Sequence, residues 1–170
     1  TGLLVVCLGK ATRLAQFLSE AGKTYEAQIM LGATSKTYDR DGDIIPTANA
    51  PVPTPAQVEA AVYRYVGDIQ QTAPLYSALK HKGKPLYDYA RKNIPVELKT
   101  REVHIDSIRV TSYSYPILGI TVRCSSGTYI RSLAHDIGQD LGCGGYIHSL
   151  RRTSIGGLDV ASSLLMADLE

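Results

Sequence analysis

Residues 123–138 read RCSSGTYIRSLAHDIG, and how this stretch is parsed decides the fold. An alternating apolar run precedes it, with Ile117, Leu118, Ile120 and Val122 in the pattern of a strand. Ser125, Ser126 and Gly127 then make a turn. From Tyr129 onward, Ile130, Leu133, Ala134, Ile137 and Leu141 recur at helical spacing, which predicts a helix over 129–141. A strand that stops at glycine and hands over to a helix presents the first helical side chains at a sheet edge, held by rigid elements on both sides. Tyr129 and Arg131 are the side chains presented in this way. A tyrosine beside an arginine that never deprotonates suits the holding of a carboxylate and a planar ring together. A core tyrosine and a structural ion pair fit the same spacing, which leaves both readings open.

Downstream, GCGG at 142–145 lacks both the GxGxxG and the GxxxxGK[ST] pattern, and reads as a helix C-cap and tight turn. Residues 146–155 read as a strand, and a short helix starts near Ser162. Upstream, residues 1–9 read as a buried strand and 11–21 as a helix with Leu14, Phe17 and Leu18 on its apolar stripe. Residues 23–32 alternate Tyr25, Ala27, Ile29 and Leu31 on one face, as a half-buried strand does. The Gly-, Pro- and Asp-rich stretch 33–55 reads as a long loop. Thr54 as N-cap and Pro55 at the first helical position start a helix faced by Val58, Ala61, Val62 and Tyr65, which Gly67 ends. Residues 70–76 look extended, 85–92 form a short helix, and 102–114 is a strand carrying a bulge. Strands and helices mix without regular alternation. The expected fold class is α+β, with a mixed, largely antiparallel sheet flanked by helices.

The 170 residues bound one large domain or a piece of a larger one, and 44% hydrophobic with 20% charged residues fits a globular chain. No run of eighteen apolar residues exists, so a membrane span is not expected. The aromatic class is eleven Tyr, one Phe and no Trp, suited to polar clefts or to half-buried strand positions. A net charge of +2 says little about partners, but its distribution says more. Lys80, Lys82, Lys84, Arg91, Lys92, Lys99 and Arg101 stand against only Asp88 and Glu97, as in an RNA or phosphate surface or a solvated face. Cys7, Cys124 and Cys143 lie far apart with no CxxC, as expected of reduced thiols in the cytoplasm. The chain opens inside a predicted strand, which leads us to expect a fragment.

Several kinds of chemistry drop out. Asp39, Asp41 and Asp43 would need Gly sixth and Glu twelfth for a calcium loop, but Gly42 is fourth and Ala50 twelfth. A turn closed by aspartate side chains on local amides fits better. His81, His104, His135 and His148 are scattered, without the HxE…PCxxC set of a zinc nucleobase deaminase, and there is no GxSxG elbow. Neither a metal nor a cofactor is expected.

Five stretches in order, TGLLVVCLGKATRLAQFL, KTYEAQIMLG, YSALKHKGKPLYDYAR, CSSGTYIRSLAHDIG and LGCGGYIHSLRRTSIG, resemble the TruB-type tRNA pseudouridine synthases over nearly the whole chain. The resemblance implies one partial α+β catalytic domain over 1–170, converting a T-loop uridine of tRNA to pseudouridine without metal or cofactor. It implies that Tyr25 is the active-site tyrosine, that Tyr129 and Leu150 shape the uracil pocket, and that Arg131 pairs with the catalytic aspartate. Residues 74–100 resemble an insertion that closes over the RNA, which makes Tyr76, Lys80, Lys82, Lys84 and Arg91 expected contacts to the tRNA T-arm. The family's aspartate lies in an LDPxATG motif whose last two residues would be Thr1 and Gly2, so it is expected four positions before Thr1. Arg131 is accordingly expected to lack its carboxylate partner here, and this chain alone to be inactive. The C-terminal RNA-binding extension of the family is expected to be absent, and the protein to be a cytoplasmic monomer. Two other readings remain: a non-catalytic RNA-binding module that keeps the scaffold, and a protein-interaction domain.

Overall fold

The computed structural model describes residues 1–92 and 94–169. Helix α1 (Ala15–Glu20) leads into strand β1 (Lys23–Leu31), whose alternation buries Ala27, Ile29 and Leu31 and exposes Glu26 and Gln28. Strands β2 (Ala33–Ser35) and β3 (Ile44–Pro46) pair as a small hairpin, followed by helix α2 (Pro55–Tyr63) and strand β4 (Gly67–Thr72). A second hairpin, β5 (Lys80–His81) with β6 (Lys84–Pro85), runs into helix α3 (Leu86–Arg91). Strands β7 (Thr100–Ser114) and β8 (Ile117–Cys124), helix α4 (Ile130–Asp140), and strands β9 (Gly145–Ile155) and β10 (Leu158–Asp159) follow.

The main sheet has the order β10-β9-β1-β8-β7-β4, and every neighbouring pair is antiparallel. The α+β class is as expected, and the sheet is more uniform than "mixed". Among the described residues the isolated bridges are both parallel, joining Gly2 to Arg152 and Asp39 to Ile147. Val58 and Val62 of α2 and Ile130, Leu133 and Ile137 of α4 bury against Ile29, Ile105, Leu118 and Ile120 of the sheet. Burial of each such side chain contributes about 1.5–3 kcal/mol, so this face of the sheet is where the fold is held.

Local signals explain the elements. Thr54 caps α2 in a reciprocal box: its hydroxyl accepts from the Gln57 amide at 3.3 Å, and the Gln57 side chain accepts from the Thr54 amide at 2.8 Å. The predicted bulge in β7 lies between Ile105 and Ser107, where the inward set shifts from Val103 and Ile105 to Ile108 and Val110. The GCGG turn caps α4, with the amides of Cys143 and Gly144 both donating to the Gly138 carbonyl. A Cβ on Gly138 would lie 2.2 Å from the Gly145 nitrogen, so α4 meets β9 backbone to backbone, and the two glycines fix the helix over the strand.

Four expectations need correction. Residues 1–9 are not a buried strand: Leu3 is buried beside Arg152, but Leu4, Val6 and Leu8 are 73%, 68% and 79% exposed. Apolar composition signals burial only where a neighbour exists on each side, and here the backbone of the segment is bonded to β9 through Thr1, Gly2 and Leu3, while Leu4, Val6 and Leu8 face outward. The helix expected over 11–21 begins as a 3-10 helix, Gly9–Leu14, without a side-chain cap, and Leu14 and Phe17 are exposed rather than buried. The loop 33–55 contains the β2–β3 hairpin, hidden in sequence because strands of three residues are too short to show alternation. The extended segment is Gly67–Thr72 rather than 70–76, because pairing with β7 begins at the glycine that ends α2's turn.

Candidate active site

Arg131 lies in the first turn of α4, two residues past the N-cap Tyr129. A cation at the positive end of a helix opposes the macrodipole, so helix stability does not explain its position. Its hydrogen-bond partners do. Nη1 donates to the Thr37 carbonyl at 3.1 Å and to Asp39 Oδ2 at 2.9 Å, and Nη2 donates to the Tyr76 carbonyl at 2.9 Å. Asp39 and Arg131 form an ion pair whose side chains are 21% and 24% exposed. The expectation that Arg131 finds no carboxylate within this chain is therefore wrong: Asp39 is its partner. The two are 92 positions apart, and a turn docked on β9 at Ile147 brings them together, which no local pattern reveals. The local reading of the aspartate cluster does hold, since Asp39 Oδ1 accepts from the Thr37 hydroxyl and from the Asp41 amide.

A cleft of about 300 Å³ opens beside the pair, lined by Asp39, Arg131, Leu150, His148, Arg40 and Thr1 among others. It meets a broader groove of about 450 Å³ along the open side of β1, β8 and β7, sharing Thr1, Ser149 and Leu150. Leu150 pairs directly with Ala27, and Tyr25 is two residues along the same face of β1; both Leu150 and Tyr25 pack against the core. A register shift between Gln28 and Ile29 leaves His148 without a partner on β1, and His148 lines the cleft. Burial pushes the Tyr25 phenol above its usual range, and nearby Cys124 adds to this while Arg152 opposes it. Tyr25 thus presents a neutral phenol at pH 7, an aromatic face with a hydroxyl that can donate.

Tyr129 does not line this cleft. Its ring lies under the Arg101 guanidinium at 4.8 Å from the centroid, and its backbone is clamped by Gln71. The Tyr129 amide donates to Gln71 Oε1 at 2.7 Å, and Gln71 Nε2 donates back to the Tyr129 carbonyl at 3.1 Å. Arg101 also donates to the Gly127 carbonyl. Gln71 is 1% exposed, a buried polar side chain fully used in locking the strand-to-helix junction. Tyr76 joins the site through its carbonyl rather than its ring. Lys80, Lys82, Lys84 and Arg91 are exposed on the β5–β6 hairpin and α3, and none lines the cleft. Sequence reasoning missed Asp39, Gln71 and Arg101. Only Asp39 carried a signal, its place in an aspartate-rich turn. Among the described residues no three His, Cys, Asp or Glu side chains converge as a metal site, and no helix is long and apolar enough to cross a membrane.

Residues 1–130 match the family model for the TruB family pseudouridylate synthase N-terminal domain, and residues 131–170 match that for the tRNA pseudouridylate synthase B C-terminal domain. The tRNA pseudouridine synthase B of Azoarcus sp. (strain BH72) is 46% identical over 171 residues, spanning 100% of this chain and 56% of that protein. Its counterpart from Marinomonas sp. (strain MWYL1) is 41% identical, spanning 100% and 55%. The chain thus spans about half the length of the curated relatives it matches. Among solved structures, a chain of a Cbf5-Nop10-Gar1 complex superposes with a TM-score of 0.67 at 32% identity, over 93% of this chain and 37% of that one. A chain of an H/ACA RNP bound to a substrate RNA containing 2'-deoxyuridine gives 0.60 at 28% identity, over 89% and 34%.

Proposed function

Because this chain belongs to the TruB family of pseudouridylate synthases, we propose that the protein isomerises a T-loop uridine of tRNA to pseudouridine, with this chain supplying most of the pocket and an upstream aspartate the carboxylate. The observation that carries the reading is the convergence of Arg131, Asp39 and Leu150 on one cleft at which Thr1 also stands. Isomerisation breaks the bond from N1 to the ribose, turns the uracil, rebonds it through C5 and releases the C5 proton. A carboxylate acting at the sugar or the base must be held by a cation that cannot give up its proton. Of Arg131's five N–H groups, three donate to Thr37, Asp39 and Tyr76, which leaves two for a second carboxylate. An aspartate four residues before Thr1 has a reach of roughly 14 Å from it, enough to enter the cleft. The detached uracil needs a flat apolar slot, which Leu150 and the neutral ring of Tyr25 supply.

Residues 74–100, with Lys80, Lys82, Lys84 and Arg91 exposed, are the proposed contact to the T-arm, and Tyr129, held by Gln71 and Arg101 outside the cleft, fixes the strand-to-helix junction from which Arg131 is presented. The protein acts as a cytoplasmic monomer, in keeping with three cysteines free of disulfides. The test is tritium release from C5-labelled uridine in a T-arm stem-loop. The full-length polypeptide should turn over, and the 170-residue chain alone should not. A full-length protein that releases no tritium would end the isomerase reading, and turnover by the short chain would end the upstream-carboxylate reading.

A further inference from the structure

His135 and Tyr38 are used by nothing described so far, yet they stack face to face with ring centroids 4.0 Å apart and planes 13° from parallel. His135 follows Arg131 by one helical turn on α4, and Tyr38 immediately precedes Asp39. Two consecutive side chains of one segment therefore meet two residues one turn apart on one helix. An extended backbone would send neighbours to opposite sides. Tyr38 instead has φ 62°, the left-handed conformation that a residue with a Cβ resists. The turn is pinned on its other side, where the Ile147 amide donates to the Tyr38 carbonyl at 2.9 Å and Asp39 bridges Ile147. Among the described residues His135 Nδ1 is buried without a hydrogen-bond partner, so the stack on Tyr38 rather than a hydrogen bond at that nitrogen orients the ring. Burial pushes the imidazole pKa down, which keeps the ring neutral at pH 7.

We propose that Tyr38 and His135 are a positioning pair: their stack fastens the left-handed turn to α4 and so holds the Asp39 carboxylate on the Arg131 guanidinium. A partly exposed ion pair does not by itself hold a turn in place, because water competes for both partners. The stack is of the same order as the left-handed penalty and offsets it, which leaves the ion pair to set direction alone. The inference rests on the reading of this cleft as the site of uridine isomerisation, because only there does the orientation of Arg131 have a kinetic consequence.

The test uses the full-length polypeptide and a T-arm stem-loop in single turnover. Tyr38→Gly is the informative variant, since glycine adopts φ 62° freely and loses only the ring. Tyr38→Gly and His135→Ala should each slow the chemical step by about tenfold or more, with RNA affinity within about twofold of the parent. Tyr38→Phe and His135→Phe, which keep the stack, should recover most of the rate. On an Asp39→Asn background, which keeps only one weakened hydrogen bond to Arg131, each ring deletion should slow the step by much less than it does in the parent. A second arm needs no activity: amide exchange at Asp41 and Ile147, whose bonds report the docked turn, should speed up by about tenfold in both ring deletions. A parent that makes no pseudouridine removes the isomerase reading, and the exchange arm then decides the positioning on its own. Parent-like turnover by Tyr38→Gly, full-sized losses on the Asp39→Asn background, folded Phe variants that fail to recover, or unchanged exchange would each overturn the proposal.

Discussion

At the scale of single residues, the site depends on how one guanidinium is oriented. Arg131 contacts two carbonyls and a carboxylate from two separate segments, 37–39 and 76, through a planar group with fixed donor directions. Lysine would keep the charge at Arg131 but could not serve all three acceptors and still present donors to a substrate-side carboxylate. In the full-length protein, Arg131→Lys is expected to lower the single-turnover rate by about 100-fold or more while leaving tRNA affinity within about threefold. A near-normal rate would assign Arg131 to folding rather than chemistry. Asp39→Asn keeps a shape that still accepts one hydrogen bond, so it should fall between the parent and Arg131→Lys.

At the scale of elements, α4 divides into a working half and a strained half. Its first turn carries Arg131, and its second half carries Asp136 and, one turn on at the C-terminus, Asp140, a carboxylate at the negative end of the helix dipole. Burial, and then the charge of Asp140, push the Asp136 carboxyl up to about 6. An acid whose pKa is raised by folding binds its proton more tightly in the native state. Its contribution is therefore most favourable below about pH 4 and is lost as pH rises from the usual carboxylate range through about 6. Discounted for the water that reaches a half-buried side chain, the penalty above pH 6 is on the order of 1 kcal/mol. Asp136→Asn should raise stability by that amount at pH 7.5, with the gain fading by pH 4.5, as read from denaturant midpoints at the two pH values. His135 titrates with the opposite sign, since its lowered pKa makes protonation unfavourable to the fold, so the comparison must be variant against parent at each pH. The elements themselves were legible where one periodicity ran for two turns or five alternations: β1, β8, α2, α4 and β9 lie close to where spacing puts them. The N-terminal segment misled because apolar content records what a segment would bury, not whether a neighbour is there to bury it. The Arg131–Asp39 pair and the Gln71 clamp were illegible because both join positions 58 or more apart, and long-range register is written in no local pattern.

At the scale of the whole chain, charge is nearly balanced at +2, so these 170 residues offer no global field to the RNA of the proposed function. Attraction must come from a local surface, and the fold narrows the candidates. Arg101, counted with the basic run in sequence, is occupied by Gly127 and the Tyr129 ring and is withdrawn from it. Arg91 sits over the Tyr87 ring at 5.4 Å, with its charge still outward. The cations left exposed on the β5–β6 hairpin are Lys80, Lys82 and Lys84, with Lys82 at its tip in a left-handed turn. The hairpin is tied to α3 by the Tyr89 hydroxyl donating to the His81 carbonyl and by burial of Leu86 and Ala90, so its lysines are carried on a folded unit rather than a loose loop. None of the three lysines makes an ion pair among the described residues, so reversing them should leave the fold intact. If each meets one phosphate, the triple variant Lys80→Glu, Lys82→Glu, Lys84→Glu loses about three counterion-release contributions. The plot of log affinity against log salt should then flatten by about 2–3 units, with affinity for a T-arm stem-loop at low salt falling at least about tenfold. Chemistry within the bound complex should be unaffected, because the lysines stand outside the cleft: the single-turnover rate at saturating RNA should stay near that of the parent. An unchanged salt slope would mean that the RNA approaches by another face, and a lost saturated rate would mean that the hairpin closes over the cleft and takes part in shaping it.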